Sequence, residues 1–352
     1  MRIAHIMLAR GFGGAERFFV DISRALATLG HEVLTLVDAR GVALSQLKGH
    51  ANLECVAVRC HGNWDVFARR ALRHHLAAFK PALVQAHLAR AALLGGHAAH
   101  ALGLPTVAKT HNLVDAKYYR DIDALVPTTA AQAAHLRAQG VPAARIHPIP
   151  NFSALQGVVS VACNMTRPWI IKSAGRLVPK KGYAALLSAF ARLRAEGVDA
   201  RLVIGGDGPE ATNLKTQAAQ LGVAEHVSFS GWVNDIASFL GDAHVFALPS
   251  HDEPFGIVVL EAMACGVPIV TTPTVGPREI LDDTSACFAA RDDADALRAA
   301  LAEALGDYDH SLTRAAQALT RFRQFYSAEV VVSRYLDLYA ALIAENARGQ
   351  QA

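Results

Sequence analysis

The chain has 352 residues, of which 52% are hydrophobic and 18% are charged, and its formal net charge at pH 7 is +3. This length favours two folded domains over one, and the apolar content suffices for sizeable cores, which excludes a disordered chain. No run of about 18 consecutive apolar residues occurs, so no transmembrane helix is predicted. The net charge is too small to argue for nucleic acid as a partner.

Cysteine usage and the start of the chain indicate the compartment. The five cysteines are scattered and include no C-x-x-C pair, which is typical of buried thiols in a reducing compartment. They are Cys55, Cys60, Cys163, Cys265 and Cys287. The apolar stretch over residues 1–8 is too short for a signal-peptide core and runs directly into a glycine loop. We therefore expect a cytoplasmic protein without a disulfide framework or a zinc site.

The first predicted elements form a Rossmann-like unit. A buried strand over residues 2–9 leads into a glycine loop over 10–17. A helix to about Leu29 and a second strand over residues 33–37 follow. This order of strand, glycine loop, helix and strand is typical of nucleotide-binding α/β folds.

The glycine loop allows more than one interpretation. A dinucleotide site requires G-x-G-x-x-G and an acidic residue about 20 residues later. Gly11 and Gly13 fit this pattern, and Asp38 ends the second strand, where a ribose ligand would lie. Glu16 occupies the place of the third glycine, where it would crowd a pyrophosphate. Glycines that serve only a turn are the other possibility.

Residues 65–80 are predicted to form a basic amphipathic helix. Its apolar face is expected to contain Val66, Leu72, Leu76 and Phe79, with Arg69, Arg70, Arg73 and Lys80 largely off that face. One interpretation is the solvated face of a packed helix. The other is contact with an anionic acceptor or with the inner-leaflet surface of a membrane.

Two histidines follow the next predicted strands. His87 ends the strand over residues 82–87, and His111 ends the strand over 105–111. Ligands of open α/β sheets bind at the carboxyl ends of strands, so either histidine faces a ligand or packs in the core. The D-x-D spacing at residues 121–123 directly precedes a strand over 124–126. We interpret it as a strand-entry loop and expect no metal site there.

A second strand–loop–helix unit begins after a predicted linker. Residues 152–167 lose all periodicity and are interpreted as the connection between domains. A strand from Trp169 then leads into the loop G-R-L-V-P-K-K-G over residues 175–182. Gly206 lies in a later glycine turn, which provides backbone space for a ligand or is a plain turn. The predicted strand over residues 227–233 ends at Trp232 and Val233, and Trp232 either borders a ligand or belongs to the core.

Residues 250–272 are the most informative stretch. Pro254 and Gly256 interrupt the chain before a short helix, which Gly266 and Pro268 end before a buried strand. The start of this helix presents unpaired backbone N–H groups over about residues 255–258. Together with the helix dipole, these groups favour an anion, above all a phosphate.

Two carboxylates flank this helix start. Glu253 would repel a phosphate, so it is better suited to holding neutral hydroxyl groups. Glu261, two turns into the helix, lies within reach of a second pair of hydroxyls. Phosphates with hydroxyl-rich groups on both sides describe a nucleotide-sugar.

Taken together, these motifs resemble the retaining glycosyltransferases of the GT-B, family 4 type. The run E-P-F-G-x-x-x-L-E-A-M-A-C-G-x-P over residues 253–268 carries most of the resemblance, although its bare E-x7-E spacing is weak alone. The G-R-L-x-x-x-K-G pattern over residues 175–182 adds to it. The Gly-Gly-Ala-Glu entry over residues 13–16 and the Thr-His-Asn over 110–112 are looser matches.

The resemblance implies an α/β fold of the GT-B class, with two Rossmann-like domains facing across a central cleft. Residues 1–155 would form an acceptor-side domain and residues 168–325 the donor domain. A C-terminal helix over residues 328–347 would cross back to the N-terminal domain.

The resemblance also implies roles for particular residues. Glu253 would hold sugar hydroxyls, while Arg176 and Lys181 would stabilise the charge on a departing diphosphate without a metal. Lys180 replaces the acidic residue often found there in the family. His111 and the Gly13–Gly14 loop would contact the sugar from the other side, with His87 as the second choice. The implied donor-binding residues are Gly13, Gly14, Gly206, Val233, Phe255, Gly256, Ile257, Val258 and Glu261.

We therefore expect a retaining hexosyltransferase that moves a sugar from a nucleoside-diphosphate sugar to a glycan or lipid-linked acceptor, without cofactor or metal. The expected context is bacterial cell-envelope polysaccharide or lipopolysaccharide, with peripheral contact with an anionic inner membrane as a further hypothesis. One alternative is an NAD(P)-dependent oxidoreductase that uses the N-terminal glycine loop and Asp38. Another is a non-catalytic sugar-nucleotide-binding protein.

Overall fold

The computed structural model describes residues 1–155 and 167–349, so Cys163 and most of the predicted linker over 152–167 lie outside the described residues. The chain divides into two compact units. One comprises Met1–Phe152 and Ala328–Ala352, and the other comprises Ser153–Ser327. Within the described residues, each unit contains a six-stranded parallel sheet with helices, which confirms the predicted α/β class.

The sheet of the first unit has the order β3-β2-β1-β4-β5-β6. Its strands are β1 (Arg2–Met7), β2 (Glu32–Asp38), β3 (Leu53–Val58), β4 (Leu83–His87), β5 (Thr106–Lys109) and β6 (Ala124–Val126). Its helices as far as residue 138 are α1 (Gly14–Thr28), α2 (Ala43–Gln46), α3 (Val66–Phe79), α4 (Leu88–His100) and α5 (Ala130–Ala138). The strand order reverses between β1 and β4, and ligands of such sheets bind beyond the carboxyl ends of strands at this point.

The sheet of the second unit has the order β12-β11-β10-β7-β8-β9. Its strands are β7 (Trp169–Ala174), β8 (Ala200–Gly205), β9 (Val227–Gly231), β10 (Val245–Leu248), β11 (Ile269–Thr271) and β12 (Cys287–Phe288). Its helices are α6 (Tyr183–Ala195), α7 (Ala211–Gln220), α8 (Ile236–Leu240), α9 (Ile257–Ala264), α10 (Val275–Ile280), α11 (Ala294–Gly306) and α12 (Tyr308–Phe325). Here the order reverses between β7 and β10, so the loops after these two strands lie side by side.

The last helix, α13 (Ala328–Gly349), belongs to the first unit. It buries Tyr335 and Tyr339 there. Near its end, the Asn346 side chain donates to the carbonyl of Gly103 at 3.1 Å. Within the described residues, no helix is both long and apolar enough to cross a membrane.

The buried face of helix α3 differs from the apolar face that the sequence predicts. Leu72 and Leu76 are buried as expected, but Val66 is 59% exposed, so its place on the buried face was wrong. The side chain of Asp65 caps the helix by accepting from the amide of Ala68, which makes Val66 the first helical residue, at the edge of the packed surface. The buried stripe therefore begins at Ala68.

Gly276 provides a stability test of the packing that positions α9. A Cβ at Gly276 would lie 2.2–2.4 Å from the backbone of Phe255, which cannot yield as a side chain would. We expect Gly276→Ala to lower the free energy of unfolding by about 2 kcal/mol or more in urea denaturation. Gly241→Ala is the control, because its Cβ would meet only ordinary contacts at 3.5 Å. Equal stability of the two variants would contradict this packing.

Candidate active site

The second unit joins the loops that follow β7 and β10. Gly182 has a φ of +70°, and a Cβ there would lie 2.0 Å from the carbonyl oxygen of Pro249, so only glycine fits. The amide of His251 donates to the carbonyl of Lys180 at 2.9 Å. These contacts hold the two loops in a fixed relation.

The same junction brings together two of the predicted catalytic residues. Lys181 and Glu253 form an ion pair through Nζ and Oε2, and their side chains are only 17% and 8% exposed. The motifs had assigned separate roles to these residues, 72 positions apart in sequence. The structure places a cation and a carboxylate in direct contact, at the carboxyl edge of the sheet.

Helix α9 begins beside this pair. Gly256 has a φ of +90° and stands at the N-cap, and no side chain caps this end. Because the first amides of an α-helix have no partner within it, those of Ile257 and Val258 are available to a ligand. Phe255, the preceding residue, is buried, and its ring lies 6.4 Å from that of Tyr326. The start of the helix is thus anchored, while its amides stay uncapped.

Four more of the predicted site residues, Arg176, Gly206, Val233 and Glu261, lie in the same unit. Arg176 is exposed, follows the end of β7, and forms no ion pair within the described part of the chain. Gly206 has a φ of +130°, and a Cβ there would lie 1.9 Å from the carbonyl oxygen of Gly175. Val233 is half-buried, and Glu261 is buried within α9. Trp232 is 52% exposed, which excludes it from the core.

In the first unit, the glycine loop is capped by its own acidic residue. The amide of Gly13, at the N-cap of α1, donates to Glu16 Oε2 at 2.9 Å, and Gly14 is the first residue of the helix. Glu16 therefore occupies the helix end where a dinucleotide would place its pyrophosphate.

Asp38 is also unavailable to a ribose. Its carboxylate accepts from the amide of Arg40 at 2.9 Å and from the Arg10 guanidinium at 3.4 Å. Although burial alone would raise it, the hydrogen bonds and charges of these arginines hold the pKa of Asp38 below its usual range. The oxidoreductase alternative is not favoured.

His111 follows β5 in a constrained conformation. Its φ is +63°, which is uncommon for a residue other than glycine, and its carbonyl accepts from Gln132 Nε2 at 3.2 Å. The residue is 6% exposed, and its Nε2 lies 3.3 Å from His87 Nδ1. The ring of Phe18 packs edge-on against it, at 5.6 Å between centroids. The two histidines that sequence offered as alternatives are therefore neighbours.

Burial keeps both rings uncharged. It lowers the pKa of His87 and of His111 well below the usual range, and neighbouring residues, Lys109 among them, lower both further. Burial also lowers the pKa of Lys109 well below its usual range. Lys109 is itself fully buried, and its Nζ donates to the carbonyl of Ile149. The pKa of His5, on the adjacent β1, falls to about 3 through burial.

A cavity of about 680 Å³ opens at this end of the first sheet. Its lining includes His87, Thr110 and Asn112 from the ends of β4 and β5. Arg10 and Arg90 contribute positive charge. The predicted acceptor-side unit thus contains a cavity with two arginines and one aspartate, Asp115, in its lining, where the sheet topology places ligands.

Both aspartates of the D-x-D segment contact protein side chains. Asp123 accepts from the amide and hydroxyl of Thr106, each at 2.8 Å, and Asp121 lies 3.2 Å from His97 Nδ1. Across residues 1–155 and 167–349, no group of three or more His, Cys, Asp or Glu is arranged to hold a metal ion.

Sequence reasoning missed several polar residues around His111. Gln85, Lys109 and Tyr339 are buried in its neighbourhood, and none belongs to a recognised motif. The sequence did contain a signal for two of them, namely a polar residue inside a predicted strand. Strands of a covered parallel sheet are normally apolar throughout. Gln85 in L-V-Q-A-H and Lys109 in T-V-A-K both break that pattern.

Comparisons with known proteins agree with this architecture. The family model described as "Glycosyl transferases group 1" matches residues 164–319, and "Glycosyltransferase Family 4" matches residues 12–155.

Two similar relatives come from Rhizobium meliloti. The lipopolysaccharide core biosynthesis glycosyltransferase LpsE is 29% identical over 97% of this chain and 99% of its own. The corresponding LpsD is 26% identical over 98% of this chain and 100% of its own.

Among solved structures, Anabaena Alr3699/HepE in complex with UDP and glucose superimposes with a TM-score of 0.84 at 19% identity, over 97% of this chain and 100% of that one. The last comparison confirms the expected fold class.

The buried histidines predict a local pH dependence. The unfolded chain binds protons near pH 6.5 that His5, His87 and His111 do not bind when folded, so the stability of the first unit falls as the pH drops through that value. Between pH 7.5 and 5.5 we expect a loss of about 1.4 kcal/mol for each histidine. Hydrogen-exchange free energies of opening in β1, β4 and β5 measure this effect, with β7 and β10 as the internal control. An equal loss in both sheets would contradict it.

Proposed function

Since this chain belongs to the GT-B glycosyltransferases of the group 1 and family 4 type, we propose that it transfers a sugar from a nucleoside-diphosphate sugar with retention of the anomeric configuration. We further propose a glycan or lipid-linked acceptor of the bacterial cell envelope and action on the cytoplasmic side. The relatives LpsE and LpsD, named for lipopolysaccharide core biosynthesis, support this context.

The observation that carries the proposal is the uncapped start of α9 beside the Lys181–Glu253 pair. Backbone amides and a helix N-terminus suit a diphosphate, and Lys181 and Arg176 add fixed positive charge. Glu253 is nearly buried and acts as an acceptor for sugar hydroxyls. Glu261 binds the ribose hydroxyls. HepE, which shares the fold, was solved with UDP and glucose, which is consistent with a nucleotide-sugar donor.

The proposed step forms one bond and breaks another. The acceptor hydroxyl oxygen bonds to the anomeric carbon while the bond from that carbon to the β-phosphate oxygen breaks. The nucleoside diphosphate leaves with the electron pair, and the hydroxyl proton passes to its phosphate oxygen. Because negative charge grows on the leaving group, the α9 amides, Arg176 and Lys181 bind the transition state more tightly than the substrate. No metal or further cofactor is needed in this scheme.

The first unit supplies the acceptor side in this proposal. Its cavity carries Arg10 and Arg90, which suits an acceptor that bears phosphate or carboxylate groups. His111 and the Gly13–Gly14 loop contact the transferred sugar.

Helix α3 and the residues before it support the proposed contact with an anionic membrane. Trp64 is 85% exposed and Phe67 is 87% exposed, so two large aromatic side chains face solvent. Arg69, Arg70 and Arg73 line an adjacent recess of about 330 Å³ and form no ion pair with another described residue. Aromatic rings that insert at the interface, beside arginines for lipid phosphates, suit an anionic bilayer.

Substitutions at the ion pair test the transfer proposal. We expect purified Glu253→Ala and Lys181→Ala to lose transfer by about two orders of magnitude or more, because each removes a group that holds the donor. Their exposed neighbours provide matched controls. Asp252→Asn and Lys180→Ala alter a pair at 3.3 Å on the surface and should transfer at near wild-type rates. Circular dichroism checks that the variants fold.

Near-wild-type turnover in folded Glu253→Ala would refute the assignment. A wild-type protein that binds the donor but never transfers would instead favour the non-catalytic alternative. The assay needs the correct donor, so thermal-shift screening with UDP, GDP, ADP and their sugars comes first, because binding to the folded state raises the unfolding midpoint.

Sedimentation with vesicles tests the membrane contact. We expect binding to vesicles containing anionic phospholipid at low salt, and its loss at high salt. Replacing Arg69, Arg70 and Arg73 together by Gln should weaken binding by at least tenfold, since each basic residue near such a surface contributes about 1 kcal/mol. Trp64→Ala/Phe67→Ala should also weaken it. Leu29→Ala, at another exposed apolar residue of the same unit, should not. Salt-insensitive or absent binding by the wild type would dismiss the contact.

A further inference from the structure

A line of buried polar side chains crosses the first unit from helix α13 to the end of β5. The Tyr339 hydroxyl contacts Gln85 Oε1, Gln85 Nε2 lies 2.9 Å from His87 Nε2, and His87 Nδ1 lies 3.3 Å from His111 Nε2. All four side chains are buried. Each group in this line has a limited number of donors and acceptors, so the positions of its protons can be derived.

The Tyr339 hydroxyl determines the orientation of the Gln85 amide. This hydroxyl donates to Gln85 Oε1, so the Gln85 amide directs Nε2, which can only donate, toward His87 Nε2. His87 is neutral, because burial, followed by the charges of nearby residues, lowers its pKa well below the usual range. A neutral imidazole has one ring proton, so His87 accepts at Nε2 and carries its proton on Nδ1.

The same rule places the proton of His111. His87 Nδ1 donates to His111 Nε2, and His111 is neutral because burial and then Lys109 lower its pKa. Its single ring proton therefore lies on Nδ1. Within residues 1–155 and 167–349, this Nδ1 has no hydrogen-bond partner, so it is the donor that His111 retains for a ligand.

The reverse arrangement requires a poorer bond. If the Gln85 amide were flipped, Tyr339 would have to donate to His5 Nε2 across 3.4 Å, and every proton along the line would move. That distance exceeds the usual range for a hydroxyl donor. His5 donates through Nδ1 at 2.9 Å to Ser23, whose hydroxyl gives its own proton to a backbone carbonyl at 2.7 Å. The Nε2 of His5 is therefore an acceptor that competes with Gln85 Oε1 for the Tyr339 proton, but at the longer distance.

We propose that Tyr339 and Gln85 are positioning residues that hold the ring proton of His111 on Nδ1, so that the last helix of the chain determines which hydrogen-bonding group His111 offers. That this group meets a sugar rests on the proposed function, whereas the placement of the proton does not. An uncharged N–H donor suits an oxygen of a sugar. The other tautomer would offer that oxygen only an acceptor.

The direct test is 15N NMR of the histidine ring nitrogens in the full-length protein at neutral pH, with the His111 signals assigned by their loss in His111→Gln. We expect a protonated Nδ1 and an unprotonated Nε2 in the wild type. In Tyr339→Phe the Gln85 amide loses the bond that orients it. The ratio of the two His111 tautomers should then move toward Nε2 by about fivefold, as expected for the loss of one hydrogen bond.

Tyr335→Phe is the matched control. Tyr335 lies on the same helix, 5.9 Å from the Tyr339 ring, and its buried hydroxyl has no hydrogen-bond partner within the described chain. This variant should leave the tautomer ratio unchanged. Gln85→Leu removes the amide altogether and gives an independent measurement, should Tyr339→Phe fail to fold.

A wild-type His111 that carries its proton on Nε2 would overturn the proposal, and so would a ratio that Tyr339→Phe and Gln85→Leu leave unchanged. Kinetics separates this outcome from the proposed function. If His111→Gln transfers at the wild-type rate, the role of His111 in transfer fails while the proton assignment stands. If the assignment is right and His111 meets the sugar, the fold decrease in kcat of Tyr339→Phe should exceed its fold change in KM by about tenfold. Tyr335→Phe should change neither kcat nor KM.

Discussion

The carboxyl ends of parallel strands meet at the same edge of a sheet, so loops that are distant in sequence become neighbours there. In the second unit the order reverses between β7 and β10, so the loops after them are neighbours although 72 residues separate Lys181 from Glu253. Gly182 lets the two backbones touch, and the Lys181–Glu253 ion pair then joins them. A nearly buried ion pair adds little net stability, because desolvation offsets the attraction. Its value is better explained by function, since it keeps a cation and a carboxylate beside the uncapped start of α9.

The first unit contains linked polar side chains inside its core. Two polar side chains of β4 form hydrogen bonds with a residue of the last helix and with the histidine that follows β5. Tyr339, Gln85, His87 and His111 are linked by hydrogen bonds, so the burial that would otherwise penalise each group instead fixes its orientation. The positive φ of His111 belongs to the same arrangement, because Gln132 holds its carbonyl. A conformation that is unfavourable locally persists because its surroundings determine it.

Features of the fold and of the candidate site that neighbouring residues encode could be predicted, and features that join distant parts of the chain could not. The strand–loop–helix succession and the motifs at residues 175–182 and 253–268 identified the fold class and the second unit's candidate site, because glycines, prolines and apolar periodicity act over a few residues. The Lys181–Glu253 pair and the line from Tyr339 to His111 join distant parts of the chain, and no local pattern contains them. Val66 was misplaced for a related reason, since the cap at Asp65 and not the apolar periodicity decides where the buried stripe begins.

Amide NMR shows whether the start of α9 binds a diphosphate. Titration of 15N-labelled protein with a nucleoside diphosphate should shift the amide signals of Gly256, Ile257 and Val258 strongly, because their N–H groups gain an anionic partner. The same nucleoside without phosphates should leave these signals nearly unchanged. If the diphosphate binds while these amides do not respond, the start of α9 is not the diphosphate site.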